Sequence, residues 1–465
     1  MRKKIAALLL LVGMLLSLGC AQGEDVWYPP MDEQMPEIHL ATKNGSNHFV
    51  KAYAREHKLM GLIKFVEGSV SVSGGEGPRE AKAQLKVRGN WTLDYPKKSI
   101  RIKLEEKQNL LGLNEGRAYK DWVLLAEWKD LSMLHSPVGL FLAHNILGED
   151  GYYCTDCRFA HVYVNGDYWG VYLLVEQQEA KEGRVEITQP EKGSSATDIG
   201  YLMEYDAYYL EEENLPSSDP VFTFDHTGLE GEQYGYSIKS DIADESQVTF
   251  LYDYMRRIYY ICQQAITWEK HFVFNENNNG LNRVEGVSAQ ETIGRVVDLR
   301  SLVDTYILHE IICNPDLGWS SFYMSLDLGE EGNGKLTFQA PWDFDSCFGI
   351  RSEYEAWEGM YAADAQNPWI NLVADEPWFV EMVHQRWAEI RDRGIPEKAL
   401  KLIDQLTETY GADFERNYER WPERITEGNH ELIEELNNCT SQREAADYLR
   451  RWLEKRFAYL NEQWQ

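Results

Sequence analysis

One segment constrains the fold of this chain most closely: residues 314–349, with the sequence NPDLGWSSFYMSLDLGEEGNGKLTFQAPWDFDSCFG. Phe322–Leu328 and Lys335–Ala340 have the composition of strands, and the Gly-rich connection between them predicts a hairpin. Asp316 precedes the first strand and Asp343 follows the second. Closing the hairpin therefore brings both carboxylates to its open end.

A third carboxylate, Asp345, belongs to the same group. Asp343 and Asp345 are two residues apart, so they point to one side if the second strand continues through them. Three carboxylates at one place can hold divalent metal ions, or divide into a metal ligand and a base, as phosphoryl transfer requires. The alternative is structural, with Asp316 capping a turn and Asp343 capping a helix. Convergence of three acids beside Trp342 favours a functional role.

Candidate phosphate-binding groups lie earlier in the chain. Arg88-Gly89-Asn90 ends one predicted strand, and Lys97-Lys98 begins another, in which apolar and basic residues alternate over Ser99–Leu104. A glycine turn lets backbone N–H groups approach phosphate, and a nearby lysine neutralises its charge. Exposed lysine pairs are common, so this pair indicates phosphate binding only in combination with the acidic hairpin in the same chain.

The N-terminus predicts export. Residues 1–20 combine a basic start with an apolar core shorter than a membrane span, as in a signal peptide. They end in Ser17-Leu18-Gly19-Cys20, which is similar to a bacterial lipobox that would place a lipid anchor on Cys20. Simple cleavage after Ala21 is the alternative.

The rest of the chain divides by composition into four parts. We predict a tether at 21–36, a β-rich N-terminal lobe at 37–180, a loop-rich insertion or lobe junction at 181–245, and a mainly helical C-terminal lobe at 246–465 that contains the acidic hairpin. The fold class is therefore α+β.

Several individual elements are also predicted. Residues 130–147 predict a helix with Asp130 or Ser132 as its N-cap. Asn165-Gly166, between two apolar runs, predicts a hairpin with a tight type I′ turn. Further helices are predicted along Leu251, Tyr254, Ile258 and Ile261, and after a Ser441…Glu444 capping box.

Charge and cysteine content limit the partners. The chain carries 46 Lys and Arg against 76 Asp and Glu, a net charge of −30, which disfavours nucleic acid. It suits a basic protein partner, although many exported proteins are acidic for solubility alone. Cys154 and Cys157 form a C-x-x-C that suits a redox pair, half of a zinc site or a local disulfide. We expect a structural role for these two and for the other cysteines beyond Cys20.

Three ordered blocks of sequence resemble the CotH family, the spore coat protein H kinases. Arg88-Gly89-Asn90…Lys97-Lys98-Ser99-Ile100-Arg101-Ile102-Lys103-Leu104 is similar to the family's R-G-N…K-K-S-x-R-x-K-L block. Asn165-Gly166…Gly170-Val171-Tyr172…Glu176 resembles its N-G…G-x-Y…E hairpin. Asn314-Pro315-Asp316 and Pro341-Trp342-Asp343-Phe344-Asp345 resemble its N-x-D…P-W-D-F-D pair.

The resemblance implies an atypical protein-kinase-like fold of two lobes that transfers the γ-phosphate of ATP to serine on a partner protein. Asp316 would be the catalytic acid. Asp343 would hold Mg²⁺ or Mn²⁺ with help from Asp345. The enzyme would act at the cell surface or on a spore coat. The acceptor would be a protein, which net charge suggests is basic and Ser-rich.

The nucleotide-binding residues that the resemblance implies come from the first two blocks. Lys98 would contact phosphate, with Lys97 as the second choice, and the turn at Arg88 and Gly89 would approach it. Glu176 would take part in nucleotide binding at the end of its hairpin.

Two residues depart from the family pattern. Ser321 stands where a metal-binding Asn is expected, although its hydroxyl can still contact magnesium, and His135 replaces an expected Arg. A pseudokinase that binds nucleotide without turnover is therefore one alternative. A carbohydrate-active hydrolase is a weaker one, because it leaves the Lys98 block without a role. His309-Glu310…Cys313 lacks the second His of a zinc protease, and no P-loop motif occurs.

Overall fold

Alternating apolar residues between positions 37 and 176 form seven strands that close into a barrel. The computed structural model describes residues 26–209, 219–226 and 234–465. The barrel strands are β1 (Glu37–Thr42), β2 (Val66–Ser73), β3 (Ala81–Arg88), β4 (Ser99–Gln108), β5 (Tyr119–Leu125), β6 (Cys157–Val164) and β7 (Asp167–Glu176). They pair in the order β1-β2-β3-β4-β5-β7-β6, and β6 closes the barrel by pairing in parallel with β1.

The closed barrel encloses an apolar core. Strand β4 is the basic strand that the sequence predicts, and its Ile100, Ile102 and Leu104 are buried. They join Trp122 of β5 and Tyr172 of β7 in a core of their own. Two short helices, α1 (His48–Lys51) and α2 (Arg55–Leu59), lie between β1 and β2.

The predicted hairpin at Asn165-Gly166 is confirmed, and it joins β6 to β7. Asn165 has φ 50° and Gly166 has φ 86°, the positive values that a type I′ turn requires. The helix predicted at 130–147 begins later, as α3 (His135–Ile146). The carboxylate of Asp130 accepts the N–H groups of Ser132 and His135 at 2.7 and 2.8 Å, which holds residues 130–134 in a turn before the helix.

A five-stranded sheet forms the second β structure, in the order β14-β13-β8-β10-β9. Its strands are β8 (Gly200–Asp206), β9 (Val221–Phe222), β10 (Gly235–Ile238), β13 (Phe322–Asp327) and β14 (Leu336–Phe338). The predicted hairpin of β13 and β14 is confirmed, with Met324 opposite Phe338. The 187–245 stretch contains more regular structure than its composition predicts, because β8 is buried on both faces and pairs with β13.

Helices and one small hairpin make up most of the remaining chain. The hairpin consists of β11 (His271–Phe274) and β12 (Leu281–Val284). The helices are α4 (Glu245–Trp268), α5 (Ala289–Ile293), α6 (Leu299–Ile312), α7 (Tyr361–Asp364), α8 (Pro368–Val373), α9 (Pro377–Asp392), α10 (Ile395–Arg420), α11 (Glu423–Thr426), α12 (Glu434–Asn437) and α13 (Gln442–Gln463). The apolar stripe predicted from Leu251 to Ile261 is buried on α4, and Ser441 caps α13 by accepting the N–H of Glu444.

The end of α10 fixes the barrel against the helical part. Asn417 accepts the backbone N–H of Val171 at 3.0 Å, and the indole of Trp421 donates to the carbonyl of Trp169 at 2.7 Å. Tyr418 donates to the carbonyl of Leu131 at 2.6 Å. These bonds join the end of α10 to β7 and to the loop before α3.

The predicted signal peptide and Cys20 lie outside the described residues. The described part of the predicted tether, 26–36, has no helix or strand, but Trp27 stacks on His144 with ring centroids 3.8 Å apart, and Asp32 pairs with Arg158. The division into domains stays a prediction.

Every cysteine among the described residues is a buried free thiol, Cys154 and Cys157 included. Within the described ranges, no helix combines the length and apolar character needed to cross a membrane.

Candidate active site

A cleft of about 790 Å³ is lined by residues of both the barrel and the five-stranded sheet. We call it the central cleft. Seven of the predicted site residues line it: Arg88, Gly89, Lys97, Asp316, Ser321, Asp343 and Asp345. The structure therefore brings the acidic hairpin and the basic blocks, which are more than 200 residues apart in sequence, to one place.

The central cleft differs in charge from the rest of the chain. Nine cations line it: Lys58, Lys64, Lys86, Arg88, Lys97, Arg101, Lys129, Lys239 and Arg351. Eight anions line it: Glu127, Glu204, Asp206, Asp219, Asp316, Asp343, Asp345 and Glu431. Acids outnumber bases 76 to 46 in the whole chain, so the cleft is enriched in cations. Six of the nine cations belong to residues 58–101, in the barrel part, and six of the eight acids belong to residues 204–345, in and around the five-stranded sheet. We call these two sides of the cleft the basic wall and the acidic wall.

The three predicted carboxylates influence one another. Burial raises the pKa of Asp343 to about 7, and the neighbouring charges of Asp345 and Asp316 add to this effect. Burial also raises the pKa of Asp316, where Lys129 acts in the opposite direction. The prediction that Asp343 and Asp345 share one side of a strand does not hold, because β14 ends at Phe338 and Asp343 has φ 67°. Both side chains reach the cleft from an irregular loop instead.

The residues on the acidic wall suit a divalent metal. Their carboxylates repel each other, and a cation between them relieves that repulsion. The hydroxyl of Ser321 lies 3.3 Å from a carboxylate oxygen of Asp343, so a third hard oxygen is present. No group of three or more His, Cys, Asp or Glu side chains is arranged for a metal in the described part of the chain. Magnesium commonly uses one or two carboxylates and takes its other ligands from phosphate and water, so this arrangement fits it.

Ser321 is held in place by a residue that the sequence did not single out. Its backbone N–H donates to Glu204 of β8 at 2.9 Å, and Tyr323 donates to the other oxygen of Glu204 at 3.2 Å. Lys239 of the next strand pairs with Glu204 at 3.0 Å. An acid within the apolar strand GYLMEYD was the available sequence signal for this site.

Arg88 is the last residue of β3, and Gly89 begins the turn that follows it. The guanidinium carbon of Arg88 lies 5.3 Å from the ring centroid of Trp342. Burial lowers the pKa of Arg88, and the negative groups around it, Asp343 among them, partly offset this effect. Gly89 has φ 125°, and a Cβ atom there would lie 2.0 Å from the hydroxyl of Thr92. Only glycine permits this turn, which directs Arg88 towards the acidic wall.

The two adjacent lysines point to different places. Lys97 lines the central cleft, and its amine donates to the carbonyls of Ala126, at 2.8 Å, and Val171. Burial lowers the pKa of Lys97 to about 7, and Glu127 partly offsets this effect. The amine of Lys98 instead donates to the carbonyl of Tyr95, and Lys98 does not line the cleft. The geometry thus favours Lys97, the second choice, over Lys98 as a phosphate-binding lysine.

Glu127, which follows β5, is a buried acid of the cleft that the sequence analysis missed. One of its oxygens accepts the hydroxyl of Ser136 at 2.9 Å, and the other has no hydrogen-bond partner. Burial raises its pKa, and Asp130 and Asp345 raise it further. Lys97 and Glu127 therefore face each other where burial drives both towards their neutral forms.

Glu176 does not line the central cleft. It is 1% exposed, and it accepts hydrogen bonds from Arg184 at 3.1 Å and from Asn114 at 2.7 Å. This buried ion pair occupies the carboxylate that the sequence analysis assigned to nucleotide binding. The residue two places later, Gln178, does line the cleft.

Lys129 lies between two acids of the central cleft, Asp345 and Glu431. It donates to the hydroxyl of Ser346 at 2.8 Å and lies 3.5 Å from Glu431 and 3.9 Å from Asp345. Burial lowers its pKa, but Asp345 and the other negative groups outweigh this effect and raise it overall. A permanent cation therefore stands beside the predicted metal site. His135 is buried next to Asp130, outside the cleft lining, so its departure from the family pattern affects packing behind the site.

Comparison with known families agrees with this arrangement. A family model described as "CotH kinase protein" matches residues 85–460, which is most of the chain. The chain therefore belongs to the CotH family, and the resemblance seen in three sequence blocks is confirmed. Membership indicates a kinase-like function, that of a phosphotransferase. No curated protein matches the chain.

Proposed function

We propose that this member of the CotH family is an exported kinase that transfers the γ-phosphate of ATP to serine side chains of proteins. One observation carries the proposal: the central cleft sets a basic wall against an acidic wall. Phosphoryl transfer needs both, because cations must neutralise phosphate oxygens while carboxylates hold a metal and orient the acceptor hydroxyl. A sugar hydrolase needs two carboxyl groups but has no use for the basic wall.

We further propose that the fold is a two-lobed, protein-kinase-like one. The barrel would be the N-terminal lobe, and the sheet with its helices would be the C-terminal lobe. The position of the cleft, lined from both parts, supports this division. So does the chain path, which passes from β7 to β8 beside the cleft through Gln177 and Gln178.

In the proposed reaction Asp316 orients the acceptor. Its carboxylate accepts the hydrogen bond of the serine hydroxyl and takes the proton as the hydroxyl oxygen bonds to the γ-phosphorus. The bond between that phosphorus and the β–γ bridging oxygen breaks, and ADP leaves. The raised pKa of Asp316 favours this role, because a more basic carboxylate accepts the proton more readily.

Asp343 and Asp345 would hold Mg²⁺ or Mn²⁺, with the hydroxyl of Ser321 as a further ligand. When bound, the metal neutralises charge on the phosphate oxygens. Lys97 would bind the phosphates from the opposite wall. Lys129 would hold Asp345 in place through Ser346, whose hydroxyl donates to that carboxylate at 3.1 Å. Each of these side chains lines the central cleft.

Export and partner choice are part of the same proposal. The signal-peptide features of residues 1–20 support secretion, with a lipid anchor on Cys20 at a cell surface or spore coat. A net charge of −30 supports a basic, Ser-rich protein substrate and argues against nucleic acid.

Transfer of labelled γ-phosphate tests the proposal directly. The protein without its first 21 residues would be incubated with labelled ATP and Mg²⁺ or Mn²⁺, alone and with a basic Ser-rich peptide. Label on serine, dependent on the metal, is the expected result. A folded protein that binds ATP but transfers no label to itself or the peptide would support the pseudokinase alternative, which Ser321 favours.

Changing Ser321 to Asn is expected to lower the Mg²⁺ concentration needed for half-maximal transfer several-fold. An amide oxygen is a better metal ligand than a hydroxyl. Ser321 has φ 61°, a conformation that Asn adopts more readily than most residues, so the backbone need not move. The measurement is a magnesium titration of transfer, with the exposed Ser195→Asn as a control. An unchanged titration in a folded variant would remove Ser321 from the metal site.

Lys97→Met is expected to weaken binding of ATP and of inorganic tripolyphosphate by roughly tenfold to a hundredfold, because charged hydrogen bonds to phosphate are lost. Lys98→Met serves as the matched control, and it should leave both affinities within about twofold. Calorimetric titration measures both variants. Equal losses, or a larger loss for Lys98→Met, would reverse the assignment made from the cleft geometry.

Proton uptake provides a second readout of the same lysine. At pH 8 an amine with a pKa near 7 is mainly neutral, and an approaching phosphate favours its charged form. Tripolyphosphate binding by the wild type should therefore take up a proton at pH 8, seen as a dependence of the binding enthalpy on the buffer. Lys97→Met should lose this uptake.

A further inference from the structure

The side chain of Gln178 is buried in the central cleft without a hydrogen-bond partner. It is 5% exposed, and neither its amide nitrogen nor its amide oxygen is bonded. Among the described residues that line the cleft, Gln178 and Glu127 are the two with buried polar atoms of this kind. A buried polar atom without a partner is destabilising, so a ligand that pairs with both amide atoms would gain binding free energy.

The backbone around Gln178 is fixed by its neighbours. Arg184 binds Glu176 on one side, at 3.1 Å, and Glu179 on the other, at 2.7 Å. This arginine is fully buried, and it also donates to the carbonyl of Asp121 in β5. The acids on both sides of Gln178 are therefore occupied, whereas the amide between them is held in the cleft with its hydrogen-bonding groups available.

Strand register places Gln178 far from the phosphate-binding groups. In the pairing of β5 with β7, Trp122 lies opposite Glu176, so Gln178 extends past that end of the pair. The carbonyl that binds the amine of Lys97 belongs to Ala126, beyond the other end of β5. The four steps from residue 122 to residue 126 span about 13 Å at the rise of a strand. A nucleotide that binds Lys97 through its phosphates and extends along this direction would bring its base towards Gln178.

We propose that the amide of Gln178 recognises the nucleobase and selects adenine. The inference rests on the proposed function, since it assumes that a nucleoside triphosphate occupies the central cleft. Adenine presents an exocyclic amino donor beside a ring-nitrogen acceptor, and a glutamine amide pairs with both through its oxygen and nitrogen. On the edge that carries N7, guanine presents two acceptors, N7 and O6, in place of adenine's amino donor and N7 acceptor, which leaves the glutamine oxygen unpaired.

Calorimetric binding in the presence of Mg²⁺ tests this recognition with four ligands. They are ATP, GTP, purine riboside triphosphate, which lacks the exocyclic amine, and inorganic tripolyphosphate, which lacks a base. The proteins are the wild type, Gln178→Leu and Gln385→Leu, a matched change at an exposed glutamine of α9. Thermal unfolding of each variant checks that it is folded.

The wild type and Gln385→Leu should bind ATP roughly tenfold to a hundredfold more tightly than the purine analogue or GTP. In Gln178→Leu this preference should fall to less than about twofold, with tripolyphosphate affinity unchanged. Coupling between the ligand's amine and this one side chain is the signature of direct contact, which a structural role would not produce. An ATP preference that survives in Gln178→Leu would overturn the proposal.

Two further outcomes separate this inference from the proposed function. Gln178-dependent binding of ATP without any phosphate transfer would uphold base recognition and overturn the kinase. Transfer that proceeds equally well from ATP, GTP and the purine analogue would uphold the kinase and overturn base recognition. If Gln178→Leu does not fold, equal affinity of the wild type for ATP and the purine analogue would by itself refute the inference.

Discussion

Asp316→Asn is expected to lower the rate of phosphate transfer to a serine acceptor by about 10²–10⁴-fold while leaving ATP affinity within about twofold. The asparagine keeps the size and shape of the side chain, but it cannot accept the proton of the acceptor hydroxyl. Nucleotide affinity should persist because, in the proposed site, the phosphates bind Lys97 and a metal held by Asp343, which the substitution leaves in place.

The substitution should be well tolerated structurally. The turn around residue 316 is held by the backbone: the N–H of Asp316 donates to the side chain of Asn314 at 2.9 Å, and its carbonyl accepts from Trp319 and Ser320. None of these bonds uses the carboxylate. Burial and the charge of Asp345 disfavour the carboxylate of Asp316 and together outweigh the attraction of Lys129, so a neutral amide there should not lower thermal stability.

Single-turnover transfer from labelled ATP measures the rate, and calorimetry measures the affinity. Asp447→Asn, at an exposed position of α13, is the matched control and should behave as the wild type. Transfer within tenfold of the wild type would exclude Asp316 as the residue that accepts the proton. Loss of ATP binding together with transfer would instead place Asp316 among the ligands of the metal or nucleotide.

From the sequence, the convergence of acidic and basic residues could be predicted more accurately than the role of each individual side chain. Hairpin closure correctly brought Asp316 and Asp343 together, because turn chemistry and strand composition are local properties. The choice between Lys97 and Lys98 was less reliable. Adjacent residues point to opposite faces of an extended segment, and the one that faces the cleft depends on which side of β4 packs inside the barrel.

Four residues of the central cleft were missed in the sequence analysis for one physical reason. Glu127, Lys129, Glu204 and Gln178 are unremarkable in sequence, where each is one polar residue among many. Their roles come from burial and from partners distant in the chain, such as Ser346 for Lys129 and Ser321 for Glu204. The resemblance also assigned Glu176 to the nucleotide, because its motif ends there. Arg184 binds that carboxylate, and this partner could not be identified without the fold.

Arg456→Met is expected to reduce the free energy of unfolding by about 3–5 kcal/mol, the typical cost of removing one partner from a buried ion pair. Arg456 of α13 and Glu310 of α6 are both fully buried and form a salt bridge of 2.5 Å. Glu310 also accepts the backbone N–H groups of Tyr361 and Ala362 at 2.6 and 2.7 Å. Without the arginine, its negative charge would remain buried with only these neutral donors.

The same arginine supports the candidate site indirectly. It donates to the carbonyl of Glu310, near the end of the helix that leads to Asp316, and to the carbonyls of Trp357 and Gly359. It thereby ties α6, α13 and the 357–362 segment together. The loss of stability should accordingly be accompanied by slower transfer at temperatures below the unfolding transition.

Urea denaturation of Arg456→Met and of a matched control, Arg450→Met, measures the change in the free energy of unfolding. Arg450→Met changes an arginine on the same helix whose side chain is 35% exposed and pairs with Asp404, so its cost should stay below about 1 kcal/mol. The double variant Arg456→Met with Glu310→Gln should be less destabilised than the sum of the two single variants, because each removes the charge that the other leaves unpaired. Strict additivity, or equal costs for Arg456→Met and Arg450→Met, would show that the buried pair does not stabilise the fold.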